Sequence, residues 1–286
     1  MTTGRTRLYG VLGWPVAHSR SPRIHTAALA ALGEDAAYLP LPVRPGSLEA
    51  ALAGLLAVGA DGLNVTLPHK EAALALVDEA TPGAHAVGAV NTLSREGGRW
   101  VGSNTDGPGL LRALRREGGD PARRRVLVRG AGGAARAAVA ALGRAGVASL
   151  AVAARRPPEA ERLADGLGLA VDVPVDAFGF DALRAAADGV ALLVPATSAT
   201  LGGGPEAEAF ARSIPLEALS PRAAVVDLVY APRRTALLRR AEARGIRAVD
   251  GLGMLVEQAA LALEGWLGRP APVAVMRVAA EEAGSS

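Results

Sequence analysis

Residues 125–135 read Arg-Val-Leu-Val-Arg-Gly-Ala-Gly-Gly-Ala-Ala. Arg125 to Arg129 is a short apolar run bounded by arginines, the pattern of a buried strand. The Ala-rich stretch after the glycines has the pattern of a long helix. Gly130, Gly132 and Ala135 therefore stand in G-x-G-x-x-A spacing between a strand and a helix. In that context glycine lets the backbone approach a pyrophosphate, and the helix N-terminus offers free N–H groups and a positive dipole. Gly130, Ala131, Gly132, Gly133 and Ala134 form the candidate phosphate-binding turn.

The strand after this helix decides which dinucleotide fits. A strand that ends in Asp or Glu would hold the ribose 2′-hydroxyl of NAD. Here it ends Ala154-Arg155-Arg156-Pro157. Two guanidinium groups in place of an acid suit a 2′-phosphate, so the expected cofactor is NADP. The alternative is that Arg155 and Arg156 are ordinary surface arginines of an arginine-rich chain.

Outward from this turn, strands and helices alternate. Strands are expected at 7–12, 37–43, 62–65, 125–129, 150–154, 191–194, 224–229 and 247–249. Helices are expected from Ser21-Pro22 with Ser21 as N-cap, from Ser47, from Lys70, from Pro108, from Thr235, and a final one from about Met254 to 268. Gly97-Gly98 marks a hairpin. Strands alternating with helices imply an α/β protein with parallel sheets. The character of the chain changes near Asp120-Pro121, and 286 residues suffice for two domains.

Composition narrows the class. Half of the chain is hydrophobic but aromatics are only 3%, so the core is Ala, Leu and Val. The net charge of +3 is too small to argue for nucleic acid. No cysteine is present, which excludes disulfides, thiol nucleophiles and Cys-ligated zinc. No uncharged apolar run has the length of a membrane span. His18, His25, His69 and His85 show no ligand spacing, so no metal is expected.

Arginine supplies nearly all the basic residues. The chain holds one Lys (Lys70), one Gln (Gln258) and three Asn (Asn64, Asn91, Asn104). Residues that survive such depletion mark places where chemistry allows no substitute. Arginine cannot share or release a proton as lysine can. Asn and Gln carry a donor and an acceptor on one neutral group, which suits a polyol.

All five fall in motifs. Gly13-Trp-Pro-Val-Ala-His-Ser19-Arg-Ser21-Pro-Arg-Ile-His25 is followed by Asn64-Val-Thr66-Leu-Pro-His-Lys70. Gly88-Ala-Val-Asn91-Thr and Gly102-Ser-Asn104-Thr-Asp106 come next, then Asp227-Leu-Val-Tyr230 and Gly251-Leu-Gly-Met254-Leu-Val-Glu-Gln258. In order and spacing, over nearly the whole chain, this set resembles the shikimate dehydrogenase family.

The resemblance implies a two-lobed protein: an N-terminal α/β substrate lobe, completed by C-terminal helices that return to it, and a Rossmann lobe between. The expected bounds are 1–106 with 252–286, and 107–251. It implies reversible, NADP-dependent reduction of 3-dehydroshikimate to shikimate in aromatic amino-acid biosynthesis. Lys70 and Asp106 match the catalytic pair. Ser19, Ser21 and Tyr230 match residues at the substrate carboxylate, and Asn64, Thr66, Asn91 and Gln258 match those around the ring hydroxyls. Thr197, Gly251 and Met254 join the glycine turn and the two arginines as cofactor residues. A cytoplasmic enzyme is expected, with a small-molecule substrate, no nucleic acid and no membrane; a homodimer is left open.

Chemistry supports these residue types. Hydride arriving at a ketone builds negative charge on oxygen, which an ammonium can stabilise and protonate. Plainer readings stand beside the functional ones. Ser21 is equally a helix cap, Asp106 could cap the helix that Pro108 opens, and Asn64 and Asn104 could be turn residues. The chain departs from the family pattern at Thr26, Arg129, Ala154, Arg156 and Pro195. Rival functions are a quinate/shikimate or aminoshikimate dehydrogenase with relaxed NAD or NADP use, and a non-catalytic shikimate sensor.

Overall fold

The computed structural model describes residues 2–117, 119–168 and 171–282. The chain divides into two compact units: one runs to Gly109 and resumes at Val256, and the other is Leu110–Leu255. Both divisions fall inside helices, three and four residues past the bounds read from the sequence.

The first unit opens with β1 (Arg7–Gly13), α1 (Ser21–Ala31), β2 (Ala36–Pro42), α2 (Leu48–Ala57), β3 (Gly62–Val65) and α3 (Lys70–Leu76). Then come β4 (Glu79–Ala80), α4 (Pro82–Val87), β5 (Thr92–Glu96), β6 (Arg99–Ser103) and the start of α5 (Asp106–Arg116). The strand order is β2-β1-β3-β5-β6-β4. β1 lies parallel to β2 and β3, with Val11 opposite Asn64. The sheet is mixed rather than parallel throughout, because the Gly97-Gly98 hairpin sets β5 and β6 antiparallel. Leu12, Leu52, Leu63, Val65, Leu93 and Trp100 are buried together as its core.

The second unit holds β7 (Arg125–Arg129), α6 (Gly133–Arg144), β8 (Ser149–Ala154), α7 (Pro157–Gly168), β9 (Val175–Gly179) and α8 (Leu183–Ala187). It continues with β10 (Leu192–Pro195), α9 (Gly204–Ser213), β11 (Ala224–Val226), α10 (Ala236–Ala243) and β12 (Arg247–Val249). All six strands are parallel, in the order β12-β11-β10-β7-β8-β9. This is the doubly wound arrangement, with β7 central and its glycine turn at the point where strand order reverses. The chain ends with α11 (Leu252–Leu267) and α12 (Val273–Glu282).

Several elements differ from the sequence reading. The helix ending near 268 is not the last: after Pro270 and Pro272 break the chain, α12 forms and packs on α1. β9 forms between 154 and 191, where no strand was expected; it is an edge strand, paired on one side only. β11 stops at Val226, because the next residue, Asp227, turns the chain by accepting the Val229 N–H at 3.1 Å. Helix α5 begins at Asp106 instead of Pro108. Among the described residues no helix is long and apolar enough to cross a membrane.

Candidate active site

The ends of β3 and β6 and the start of the antiparallel β5 gather the scarce polar residues of the first unit. Asn64 stands near the end of β3, Lys70 opens α3, Asn91 immediately precedes β5 and Asp106 opens α5. The Lys70 ammonium donates to Asp106 Oδ2 at 2.6 Å. The other carboxylate oxygen, Oδ1, accepts from Asn91 Nδ2 at 2.8 Å. Asp106 is 8% exposed, so its carboxylate is held by fixed partners rather than by water. It does not serve as a helix cap. Asn104 takes the local turn role, its Oδ1 accepting the Asp106 N–H at 3.1 Å while its Nδ2 donates to Ala89 O at 3.0 Å.

Asn91 is itself oriented on its oxygen side. Its Oδ1 accepts from the Thr105 N–H at 2.8 Å, from Thr92 Oγ1 at 2.9 Å and from Thr105 Oγ1 at 3.2 Å. With the oxygen fixed, the amide nitrogen must face Asp106. Asn64 continues the network: its Nδ2 donates to Asn91 O and to Thr92 Oγ1, each at 3.3 Å, and its Oδ1 accepts from Tyr38 OH at 2.7 Å. Tyr38, Thr92 and Thr105 were not singled out in the sequence. Thr92 and Thr105 each stand beside a motif Asn or Asp, which was their only signal, and Tyr38 had none.

Ser19 and Ser21 share one turn before and into α1. Arg20 occupies the N-cap position and Ser21 the first helical one, so Ser21 is not the cap that its place before Pro22 suggested. Ser19 Oγ instead accepts the Ser21 N–H at 3.3 Å, a local hydroxyl-to-backbone bond of the kind that opens helices. Thr66 follows β3, its N–H donating to Leu12 O at 2.8 Å. Gln258 lies on α11 in the same unit, where the α11 backbone crosses α5: a Cβ added at Gly109 would stand 2.8 Å from Gln258 N.

The four histidines are dispersed. His25 is fully buried, its ring stacked on Tyr38 with centroids 4.3 Å apart, and burial pushes its pKa down to about 3. His69 lies buried with Nε2 2.7 Å from Val43 O, and His18 and His85 are exposed. No three metal-ligating side chains come together among the described residues.

The remaining predicted residues belong to the second unit. Gly130 takes φ +133° and carries no Cβ because one would meet Ala196 O at 2.7 Å. Ala131 follows it, Gly132 is the N-cap of α6, and Gly133 and Ala134 form its first turn. Open space surrounds the Cβ positions of Gly132 and Gly133. The backbone N–H groups there are thus approachable, which fits a dinucleotide pyrophosphate. Arg155 is exposed just past β8 and has no ion pair among the described residues, whereas Arg156 is paired with Glu159. Thr197 follows β10, Gly251 precedes α11 and Met254 lies in its first turn. Tyr230 is half-buried after Asp227, whose buried carboxylate accepts from Thr200, Val229 N and Thr235. Burial raises the Asp227 pKa against the pull of those three bonds.

A doubly wound parallel sheet with a glycine turn in one unit and, in the other, a mixed sheet carrying a Lys–Asp pair among amides and hydroxyls define the class of two-unit α/β dinucleotide-dependent oxidoreductases. Residues 11–93 match the shikimate dehydrogenase substrate binding domain, and residues 251–281 match the shikimate 5′-dehydrogenase C-terminal domain. The chain is 46% identical to the shikimate dehydrogenase (NADP(+)) of Rhodospirillum rubrum over 275 residues, 94% of either chain. It superposes on shikimate 5-dehydrogenase from Thermus thermophilus, solved with NADP(H) and shikimate, with TM-score 0.84 and 38% identity, covering 97% of this chain and 100% of that one. It is also similar to quinate dehydrogenase from Corynebacterium glutamicum, solved with NAD, with TM-score 0.87 and 30% identity over 97% of this chain and 99% of that one. The chain belongs to the shikimate dehydrogenase family.

Proposed function

We propose that this chain interconverts 3-dehydroshikimate and shikimate with NADP(H) as cofactor. The observation that carries the reading is the Lys70–Asp106 pair at 2.6 Å, held by Asn91 beside the network of amides and hydroxyls. NADPH, when bound, supplies the hydride for the ketone carbon. As charge develops on the ketone oxygen, the Lys70 ammonium stabilises it and gives up a proton from Nζ. Asp106 keeps the ammonium in place and, in the reverse direction, favours its recharging. Ser19, Ser21 and Tyr230 hold the substrate carboxylate. Asn64, Thr66, Asn91 and Gln258 stand around the ring hydroxyls and set which substrate hydroxyl pattern fits.

In this reading the N–H groups of Gly130, Ala131, Gly132, Gly133 and Ala134 take the pyrophosphate. Arg155 holds the 2′-phosphate, Arg156 adds charge beside it, and Thr197, Gly251 and Met254 complete the cofactor site. The alternation of substrate, dinucleotide and substrate segments makes 1–106 with 252–286 one functional domain and 107–251 the other. The enzyme is cytoplasmic and acts on small molecules, without nucleic acid or membrane. A homodimer is checked by light scattering of the purified protein.

The test is turnover of shikimate by the purified protein, read from absorbance of reduced nicotinamide. NADP and NAD are run side by side, with quinate as second substrate. Fast oxidation of shikimate with NADP alone is expected. Comparable rates with quinate or NAD would assign it instead to the quinate/shikimate group. Shikimate binding without turnover would make it a sensor.

A further inference from the structure

Tyr38 was selected by no motif, yet it stands at the head of an unbroken hydrogen-bond run. Its hydroxyl donates to Asn64 Oδ1 at 2.7 Å, and Asn64 Nδ2 donates to Asn91 O and Thr92 Oγ1. Thr92 Oγ1 donates to Asn91 Oδ1, Asn91 Nδ2 to Asp106 Oδ1, and Lys70 to Asp106 Oδ2. Every member lies in the first unit.

The two ends of the run are held differently. Asn91 Oδ1 has three donors, two of them from Thr105, so the Lys70–Asp106 end keeps its geometry if one bond is lost. Asn64 Oδ1 accepts from Tyr38, and the buried His25 ring also stands against the Asn64 side chain. Asn64 is 6% exposed, so water does not readily replace the Tyr38 hydroxyl. An Asn amide can turn over by half a rotation, exchanging donor for acceptor, unless its partners decide the face. Asn91 O, which can only accept, fixes the Nδ2 side, and the Tyr38 hydroxyl anchors the Oδ1 side.

The phenol is in turn fixed as a donor. The ring is 4% exposed, lies parallel to His25 at 4.3 Å and stands 6.4 Å from Trp266. Burial raises its pKa well above the usual value, while His25 beneath it remains neutral. Ser21, one helical turn before His25, has its hydroxyl against the same phenol. One buried hydroxyl thus touches both a proposed carboxylate-binding serine and a proposed ring-binding asparagine.

We propose that Tyr38 is a positioning residue of the substrate site, which acts by anchoring the oxygen end of the Asn64 amide. It touches no reacting atom. The inference rests on the shikimate reading above. It separates the two ends of the network: losing the hydroxyl weakens substrate binding and leaves the chemical step largely intact.

The test is Tyr38→Phe, with steady-state kinetics and direct titration of shikimate. The KM for shikimate rises about tenfold, in line with loss of one buried hydrogen bond, while kcat and the KM for NADP stay within about a factor of two to three. The same change made in an Asn64→Ala background shifts shikimate KM by less than about twofold, because the partner is already gone. That double variant leaves no orphaned acceptor, so it remains informative even where Tyr38→Phe alone fails to fold. An unchanged shikimate KM in Tyr38→Phe overturns the inference. So does a parallel change in kcat and both KM values, or a tenfold effect that persists without Asn64. If the unaltered protein neither binds nor turns over shikimate, the functional reading and this inference fall together; if it turns shikimate over and Tyr38→Phe matches it, only the inference falls.

Discussion

Lys70 and Asp106 sit at the beginnings of α3 and α5, each brought to the other by a strand that ends just before it. Under the proposed chemistry, Lys70→Ala removes the only ammonium near the site, and Asp106→Ala releases it. Each should lower turnover at least about a hundredfold, with the far-UV circular dichroism unchanged. Wild-type turnover in either variant would dismiss the pair as catalytic. His25 makes a different kind of contribution. Its folded pKa of about 3 lies below the ordinary value of 6.5, so between those values the unfolded chain binds a proton that the folded one refuses. Stability is therefore lost as pH falls from about 6.5 towards 3. His25→Phe, which keeps a ring against Tyr38, should show a shallower fall in Tm between neutral pH and pH 4. An identical pH profile would mean that other groups carry the acid sensitivity.

The strands and helices of the second unit carry charge in two contrasting ways. Arg155, exposed past the end of β8, is available to a phosphate, so Arg155→Ala should weaken NADP binding about tenfold or more and leave NAD binding nearly unchanged. Calorimetric titration of both cofactors decides it, and equal losses would remove Arg155 from the 2′-phosphate. Arg129, at the end of β7, is buried between Phe180 and Phe210, its guanidinium carbon 4.2 and 4.0 Å from the ring centroids. Burial pushes its pKa down to about 10, so it stays charged. Among the described residues its side chain donates one hydrogen bond, from Nη2 to Ser213 Oγ at 3.2 Å at the end of α9, where a helix C-terminus favours a cation. The two rings and the helix end offset part of the cost of burying the charge. Arg129→Met should change stability by less than about 1 kcal/mol or raise it. Arg129→Ala, which forfeits both rings and leaves a void, should cost about 2–4 kcal/mol. Chemical denaturation of the two variants is the measurement, and equal losses would refute the assignment of Arg129 to packing.

Each of the two units has its own sheet and its own buried core, Leu12 and Leu63 among the residues of one, Leu127 and Leu193 among those of the other. A ligand held by one unit should raise the unfolding temperature of that unit first. At about a hundred times its dissociation constant, a ligand adds about 2.7 kcal/mol. In scanning calorimetry NADP should therefore raise the transition of residues 110–255, and shikimate that of the remainder. A shift of one undivided transition by either ligand would show that the units unfold together.

Local rules made much of this molecule readable from its residues. The apolar run 125–129, the glycines after it and the Ala-rich stretch beyond announce strand, turn and helix through chain geometry that needs no distant partner. The scarcity of Lys, Asn and Gln pointed to Lys70, Asn64 and Asn91 in the same way, since composition is a property of the chain, whereas Asp106 came from the family resemblance. Long-range pairing lay beyond that reach. β9 and α12 exist because β8 and α1 stand ready to receive them, and nothing in their own residues outweighs Gly, Pro or mixed propensity. Tyr38 shows the same limit within the site. It precedes Asn64 by 26 residues, and only the pairing of β2 and β3 on either side of β1 brings its hydroxyl to that amide. Periodicity records which face of an element is buried; which partner waits across the sheet depends on contacts between segments that local pattern does not encode.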